Sequence, residues 1–220
     1  MHLLSVQNAL LFRFRLIIPA FLCIFVSVME IIVDIHTHHP KEGVLSPTMA
    51  GIHPWDAEHG LELPDFASCD IIGETGLDYA CGVSIEAQER LFRNHLEAAE
   101  TLAKPVVLHV VRSFEAVMSI LADYTLQNVV FHGFIGSTQQ AARAIERGYY
   151  LSFGLRSLRS ERTRQAIEIT PLDRLFVESD DDPDIDLHEL YRQVSELKRI
   201  TPQELMAQTV KNYYAIFKIK

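Results

Sequence analysis

The sequence predicts an α/β fold, a (β/α) barrel of the TIM type with about seven strands, lacking one βα unit near the N-terminus. Three observations predict it. Five short apolar runs each end in a residue able to bind a metal, strand-like runs alternate with helical patterns, and one crossover is too short for a helix. The runs read IIVDIHTH (31–38), DIIGE (70–74), PVVLH (105–109), NVVFH (128–132) and RLFVESD (174–180). They end in His36 and His38, Glu74, His109, His132 and Asp180. β-Branched runs bounded by turn residues suit strands buried on both faces of a parallel sheet. Residues at the C-terminal ends of such strands converge at one mouth of a barrel.

Taken in order, strands are expected at 31–36, about 48–52, 70–74, 105–109, 128–132, 148–153 and 174–178. Only twelve residues separate His38 from Gly51, too few for a helical crossover plus a strand. The missing βα unit is therefore placed there. Residues 85–103 form a helix with Leu91, His95, Leu96, Ala99 and Leu102 on one stripe. Pro105 opens the next strand, where a missing N–H is tolerated. Ser137 is an N-cap for a helix over 138–147, closed by Gly148. Thr201-Pro202-Gln203-Glu204 reads as a capping box with Pro at the first helical position, and the final helix ends in NYYAIF. There is no internal repeat, low-complexity stretch or interdomain linker.

At 220 residues the chain fits one domain. Its charge balance is acidic, 20 Lys+Arg against 29 Asp+Glu, which excludes a broad basic nucleic-acid-binding face. Three cysteines without a CxxC pair do not form a disulfide framework. Residues 16–28 (LIIPAFLCIFVSV) follow Arg13 and Arg15 but are too short to span a bilayer, and Pro19 interrupts them. No small-residue cleavage site follows, and Met29 stands directly before the first strand. The expectation is that Met29 is the natural start, that 1–28 is an over-extended reading frame outside the fold, and that 29–220 is one hydrolase domain. A cytoplasmic monomer without a membrane partner follows; a genuine export signal or anchor over 1–28 is the alternative.

His-x-His at a strand end places both imidazoles on one face, since strand side chains alternate with period two. Such a pair suits Zn, Ni, Mn or Fe, and Glu74 and Asp180 add hard oxygen donors. A carboxylate has two oxygens, so Glu74 can bridge two cations, the second also taking His109 and His132. The expected cofactors are two divalent ions, among Zn, Mg, Mn or Ni. Two cations about 3.5–4 Å apart can share a hydroxide nucleophile. Glu74 and Asp180 are thus the catalytic candidates, Asp180 as acceptor of a proton from the attacking water. A lone strand-end histidine is more often structural, and an acidic cluster such as Asp180-Asp181-Asp182 is usually a solvated loop. Five such strand ends in one chain outweigh that reading. His39, His59, His95 and His188 are taken as structural or surface residues.

Together, DIHTH (34–38), GIHPW (51–55), IGETGLD (72–78), Gln88 through Phe92 and Leu96 to KPVVLH (104–109), FHGFIG (131–136), ESD (178–180) and the closing NYYAIF resemble the TatD family of metal-dependent hydrolases. The resemblance implies a distorted TIM barrel and phosphodiester hydrolysis, typically of DNA. It implies one metal on His36, His38, Glu74 and Asp180, and a second on Glu74, His109 and His132. It also places His53 in the substrate site. The family's second strand and its helix are absent from this chain, and the chain departs from the family pattern in three further places. The arginine after the fifth strand comes one residue late, as His109-Val110-Val111-Arg112. His132-Gly133-Phe134 replaces HCF, and Asp181-Asp182 precede Pro183.

Arg156, Arg159, Arg162 and Arg164 form a local basic cluster after the strand at 148–153. They are either a solvated helix face or a phosphate-binding patch; at least one is expected to contact substrate. The substrate-contact candidates are His53, Arg112, Arg156 and Arg159. Besides a DNA phosphodiesterase, the pattern is compatible with a hydrolase of small esters or amides, such as aminoacyl esters. A third reading is an inactive metal-binding homologue that serves as a binding protein.

Overall fold

The computed structural model describes residues 31–217. The apolar stretch 16–28 and the expected start at Met29 lie outside the described residues. The strands are β1 (Ile32–Val33), β2 (Val44–Leu45), β3 (Met49–Ala50), β4 (Ile71–Asp78), β5 (Val106–Val111), β6 (Val129–Phe131), β7 (Tyr150–Phe153) and β8 (Leu175–Val177). The helices are α1 (Ile85–Leu102), α2 (Phe114–Leu121), α3 (Thr138–Glu146), α4 (Leu155–Leu158), α5 (Glu161–Ile169), α6 (Leu187–Lys198) and α7 (Pro202–Phe217).

All strand pairs are parallel: β3 to β8 form one sheet in chain order, and β1 pairs with β2. β2 and β3 are two pieces of one extended segment interrupted around Pro47, the first pairing with β1 and the second with β4. On the other side, the Ile35 amide donates to Val177 O (3.3 Å), the Asp180 amide to His36 O (3.1 Å) and the His38 amide to Asp180 O (2.9 Å). Backbone bonds thus run from the end of β8 back to the segment that follows β1, and seven chain segments complete the circuit. The short crossover is a loop over 34–43 without a helix, which accounts for the missing βα unit.

Period two sorts the strand residues into two shells. Val33, Ile71, Val107, Val130, Tyr150 and Phe176 face inward and meet Tyr213 and Ile216 of α7, which covers one end. Their neighbours Ile72, Val106, Leu108, Val129, Phe131, Leu151 and Leu175 face outward and pack with Phe92, Leu96, Val117 and Leu190 of the helices. Most are fully buried, each contributing about 1.5–3 kcal/mol by burial. Asn212, the first residue of NYYAIF, ties α7 down by donating to Leu172 O (2.8 Å) and Leu175 O (2.9 Å).

Several elements differ in detail from the sequence expectation. The buried stripe of α1 is Gln88, Phe92, His95, Leu96 and Ala99, while Leu102 is exposed and Leu91 half-buried. Gln88 turns inward because its amide pins the end of β4, accepting from Asp78 N (2.7 Å) and donating to Asp78 O (3.0 Å). The second strand is split and begins at Val44, and the strand expected from 148 begins at Tyr150. The largest difference is β4, which runs four residues past Glu74, to Asp78. The caps match: Ser137 accepts from Gln140 N, and Thr201 and Glu204 bond reciprocally at 2.8 and 3.2 Å. Among the described residues no helix is long and apolar enough to cross a membrane.

Candidate metal centre

On the inner face, the position two residues beyond each core residue lies at the next level toward the strand's C-terminal end. Val107 leads to His109, Val130 to His132 and Phe176 to Glu178. β4 reaches the same level by a bulge. Ile72 pairs with Val106 but Thr75 with Leu108, so Gly73 and Glu74 together oppose Val107. The extra residue changes the parity of the strand, and Glu74, Gly76 and Asp78 face the site. Gly76 has φ +140°, and a Cβ there would collide with the carbonyl oxygen of His109.

His36 and His38 stand on the loop after β1, held beside Asp180 by the backbone bonds described above. Asp34 fixes that junction: its carboxylate accepts from the Ser179 amide (2.9 Å) and hydroxyl (2.6 Å), and the same hydroxyl reaches Thr37 Oγ1 (2.9 Å). Burial pushes the Asp34 carboxyl up to about 6 despite the Ser179 hydrogen bonds.

Glu74 sits at the centre with its oxygens facing two different sets of residues. Oε2 lies 3.5 Å from His36 Nε2 and 3.7 Å from His38 Nε2, and these two nitrogens are 3.5 and 3.9 Å from Asp180 Oδ1. Oε1 lies 2.6 Å from His109 Nδ1, 2.6 Å from His132 Nε2 and 3.5 Å from His53 Nε2. Burial works against the Glu74 charge, but hydrogen bonds from His109 and His132 outweigh it and hold the carboxyl well below its usual range. Burial likewise opposes the Asp180 charge, and the neighbouring His36 and His132 rings overcome it and hold the carboxyl below its usual range. His132 is raised well above its ordinary value, against burial, by Glu178 and Glu74.

These residues fit cations. The fully buried Nε2 of His36 has no hydrogen-bond partner although it faces two carboxylates. The ligand atoms of His36, His38 and Glu74 lie within 4.8 Å of one another, as do those of His36, His132 and Asp180 and those of His53, Glu74 and His109. Around them stands a layer of supporting carboxylates, Asp78 and Glu178. Asp78 Oδ2 holds His109 Nε2 at 3.2 Å and accepts from Trp55 Nε1 at 2.7 Å. Glu178 Oε1 holds His132 Nδ1 at 3.2 Å. A carboxylate on the far nitrogen sets the tautomer that leaves the near nitrogen free to ligate. Glu178 ends an apolar run, whereas nothing in the sequence pattern marks Asp78, which lies beyond the expected strand end at Glu74.

The arginines divide. Arg156 and Arg159 line a cleft of about 300 Å³ with His109, His132 and Asp180, and Arg156 lies 3.7 Å from Asp181. Arg112 turns away with φ +54° after the extra residue of its motif and lines a neighbouring cleft of about 490 Å³ with Phe134, Gln140 and Arg162. Arg162 donates to Gln140 Oε1 (2.7 Å), and Arg164 pairs with Glu161 (3.5 Å). The four do not form one face. His95 is a packed core residue, its Nε2 accepting from the Ile52 amide at 3.0 Å; His39, His59 and His188 are exposed.

Comparison with known proteins places this arrangement. The family model described as TatD related DNase matches residues 37–218. An uncharacterized metal-dependent hydrolase of Bacillus subtilis, YabD, is 29% identical over 195 residues, covering 77% of this chain and 76% of that protein. The 3'-5' ssDNA/RNA exonuclease TatD of Cronobacter turicensis is 34% identical over 145 residues, covering 60% of this chain and 55% of that protein. The crystal structure of YJJV, a TatD homologue from Escherichia coli, superposes with a TM-score of 0.68 at 25% identity, covering 82% of this chain and 79% of that one. Among these curated relatives the match spans between about half and three quarters of the relative's length.

Proposed function

Because the chain belongs to the TatD related DNase family of metal-dependent hydrolases, we propose that it hydrolyses phosphodiester bonds in DNA with two divalent cations. The observation that carries this reading is the division of Glu74, one oxygen toward His36 and His38 and the other toward His109 and His132. His36, His38, Glu74 and Asp180 would hold one cation, and Glu74, His109 and His132 the other. Divalent cations bound in this way supply Lewis acidity to a phosphoryl oxygen and acidify water at neutral pH.

The chain's own groups supply the rest. Asp180 is ionised at neutral pH and stands at the cleft, so it accepts a proton from the attacking water. Asp78 and Glu178 keep His109 and His132 turned toward Glu74. Arg156 and Arg159 line the same cleft and meet substrate phosphate. His53 Nδ1 accepts from the Trp55 amide (3.3 Å), which leaves an N–H on Nε2 facing Glu74 and the substrate. Arg112, in the adjoining cleft, is assigned to the flanking strand rather than to the scissile phosphate. The reading takes residues 29–220 as one hydrolase domain, working as a monomer in a reducing cytoplasm. The free thiols of Cys69 and Cys81 support that compartment.

The test is metal-supplemented hydrolysis of single-stranded, double-stranded and abasic DNA beside a generic phosphodiester and an aminoacyl ester. DNA turnover that requires added metal supports the proposal. Turnover of the ester alone favours the small-ester reading. No turnover of any substrate by metal-loaded protein favours a binding protein.

A further inference from the structure

Trp55 is the chain's single tryptophan, and it stands 56% exposed at the rim of the metal centre. Its indole is fixed rather than loose. Nε1 donates to Asp78 Oδ2 at 2.7 Å, the ring packs edge-on against His53 at 4.6 Å between centroids, and the His109 ring is 6.2 Å away. A large aromatic surface left in water forgoes the stabilisation that burial gives. The bond to Asp78 does not explain the residue either, since any small N–H donor could make it. What tryptophan adds is a rigid flat surface beside His53 and His109, with its orientation set by hydrogen bonding.

We propose that Trp55 is a stacking platform for an unpaired base next to the phosphate held at the centre, and so a residue that sets how substrate is positioned. The inference rests on the phosphodiesterase reading and extends it. Bases inside a duplex are stacked on both faces, so only an unpaired base can offer its face to the indole. Stacking of this kind is tolerant of sequence because every base has a π-face. The nearby Arg156 and Arg159 supply charge for the backbone of the same strand.

The single tryptophan makes the test direct. The metal-loaded full chain is titrated with a short thymidine phosphorothioate oligonucleotide, which resists turnover, while tryptophan fluorescence is followed. Saturable quenching is expected, with none from an abasic oligonucleotide of equal length and charge. With a labelled thymidine oligonucleotide, Trp55→Ala should raise Kd roughly 5- to 100-fold. Trp55→Phe keeps a stacking ring but loses the bond to Asp78, and should stay within about threefold of wild type. Equal losses in both variants, equal quenching by the abasic strand, or absence of quenching overturns the stacking role. Binding without quenching leaves the phosphodiesterase reading standing, whereas quenching without any hydrolysis of unmodified DNA refutes that reading and not the platform.

Discussion

Asp78 grips His109: its Oδ2 lies 3.2 Å from Nε2 of the ring, whose other nitrogen stands 2.6 Å from Glu74. The pair sets both the tautomer and the aim of a proposed ligand. Asp78→Ala should therefore lower metal affinity roughly 10- to 100-fold while leaving the fold intact. Calorimetric titration of the metal-free variant with manganese or zinc checks this; wild-type affinity would show that His109 needs no such support.

Gly76 lets β4 and β5 approach at the level of the site. Any side chain there takes φ +140° and drives its Cβ into the His109 carbonyl. Gly76→Ala is expected to destabilise the chain by about 3 kcal/mol or more, from backbone strain and the displaced strand together. Denaturant unfolding measures it, and a loss within about 0.5 kcal/mol would contradict the packing described.

Lys198 acts far from the centre. Its half-buried ammonium donates to three carbonyls at the end of α5, those of Ile167 (3.0 Å), Glu168 (2.6 Å) and Thr170 (2.6 Å), closing that helix against α6. Lys198→Met should lower stability by about 1–3 kcal/mol, with kcat unchanged. Thermal unfolding and a standard rate assay separate the two effects; a fall in kcat without a fall in stability would contradict a purely structural role.

His95 gives a pH dependence of known sign. It is buried and neutral, accepting from Ile52 N and bonded to Leu91 O at 2.8 Å, and burial draws its pKa below the ordinary value. The folded state thus binds this proton less readily than the unfolded state. The stability it contributes is complete above about pH 6.5 and is lost as pH falls from there through the lowered folded pKa. His95→Leu should be less stable than wild type at neutral pH and should show a shallower loss on acidification. Parallel stability curves for the two proteins would contradict the assignment.

His109, His132 and Asp180 are legible in the sequence because each follows an unbroken buried run, although His109 stands within β5, which continues to Val111, and not at its end. So is the short first crossover, because chain length alone excludes a helix there. The sequence pattern places Glu74 at a strand end, whereas it stands within β4 at a bulge. One inserted residue changes which face a side chain takes, and hydrophobic pattern carries no mark of it. Asp78, Glu178 and Trp55 escaped because their roles depend on contacts across 23 to 46 residues of sequence. Arg112 reads as an arginine after a strand, but the left-handed turn that sends it to the neighbouring cleft appears only in the backbone.

In the proposed centre Glu74 would be shared between two cation sites. Measuring bound metal per chain by elemental analysis, with and without the Glu74→Ala change, tests it most directly. Wild-type protein loaded with zinc or manganese and freed of excess should retain two ions per chain. Glu74→Ala, folded by circular dichroism, should lose tight binding at both sites together with DNA hydrolysis. A variant that still holds two ions, or that cleaves DNA at the wild-type rate, would contradict the account.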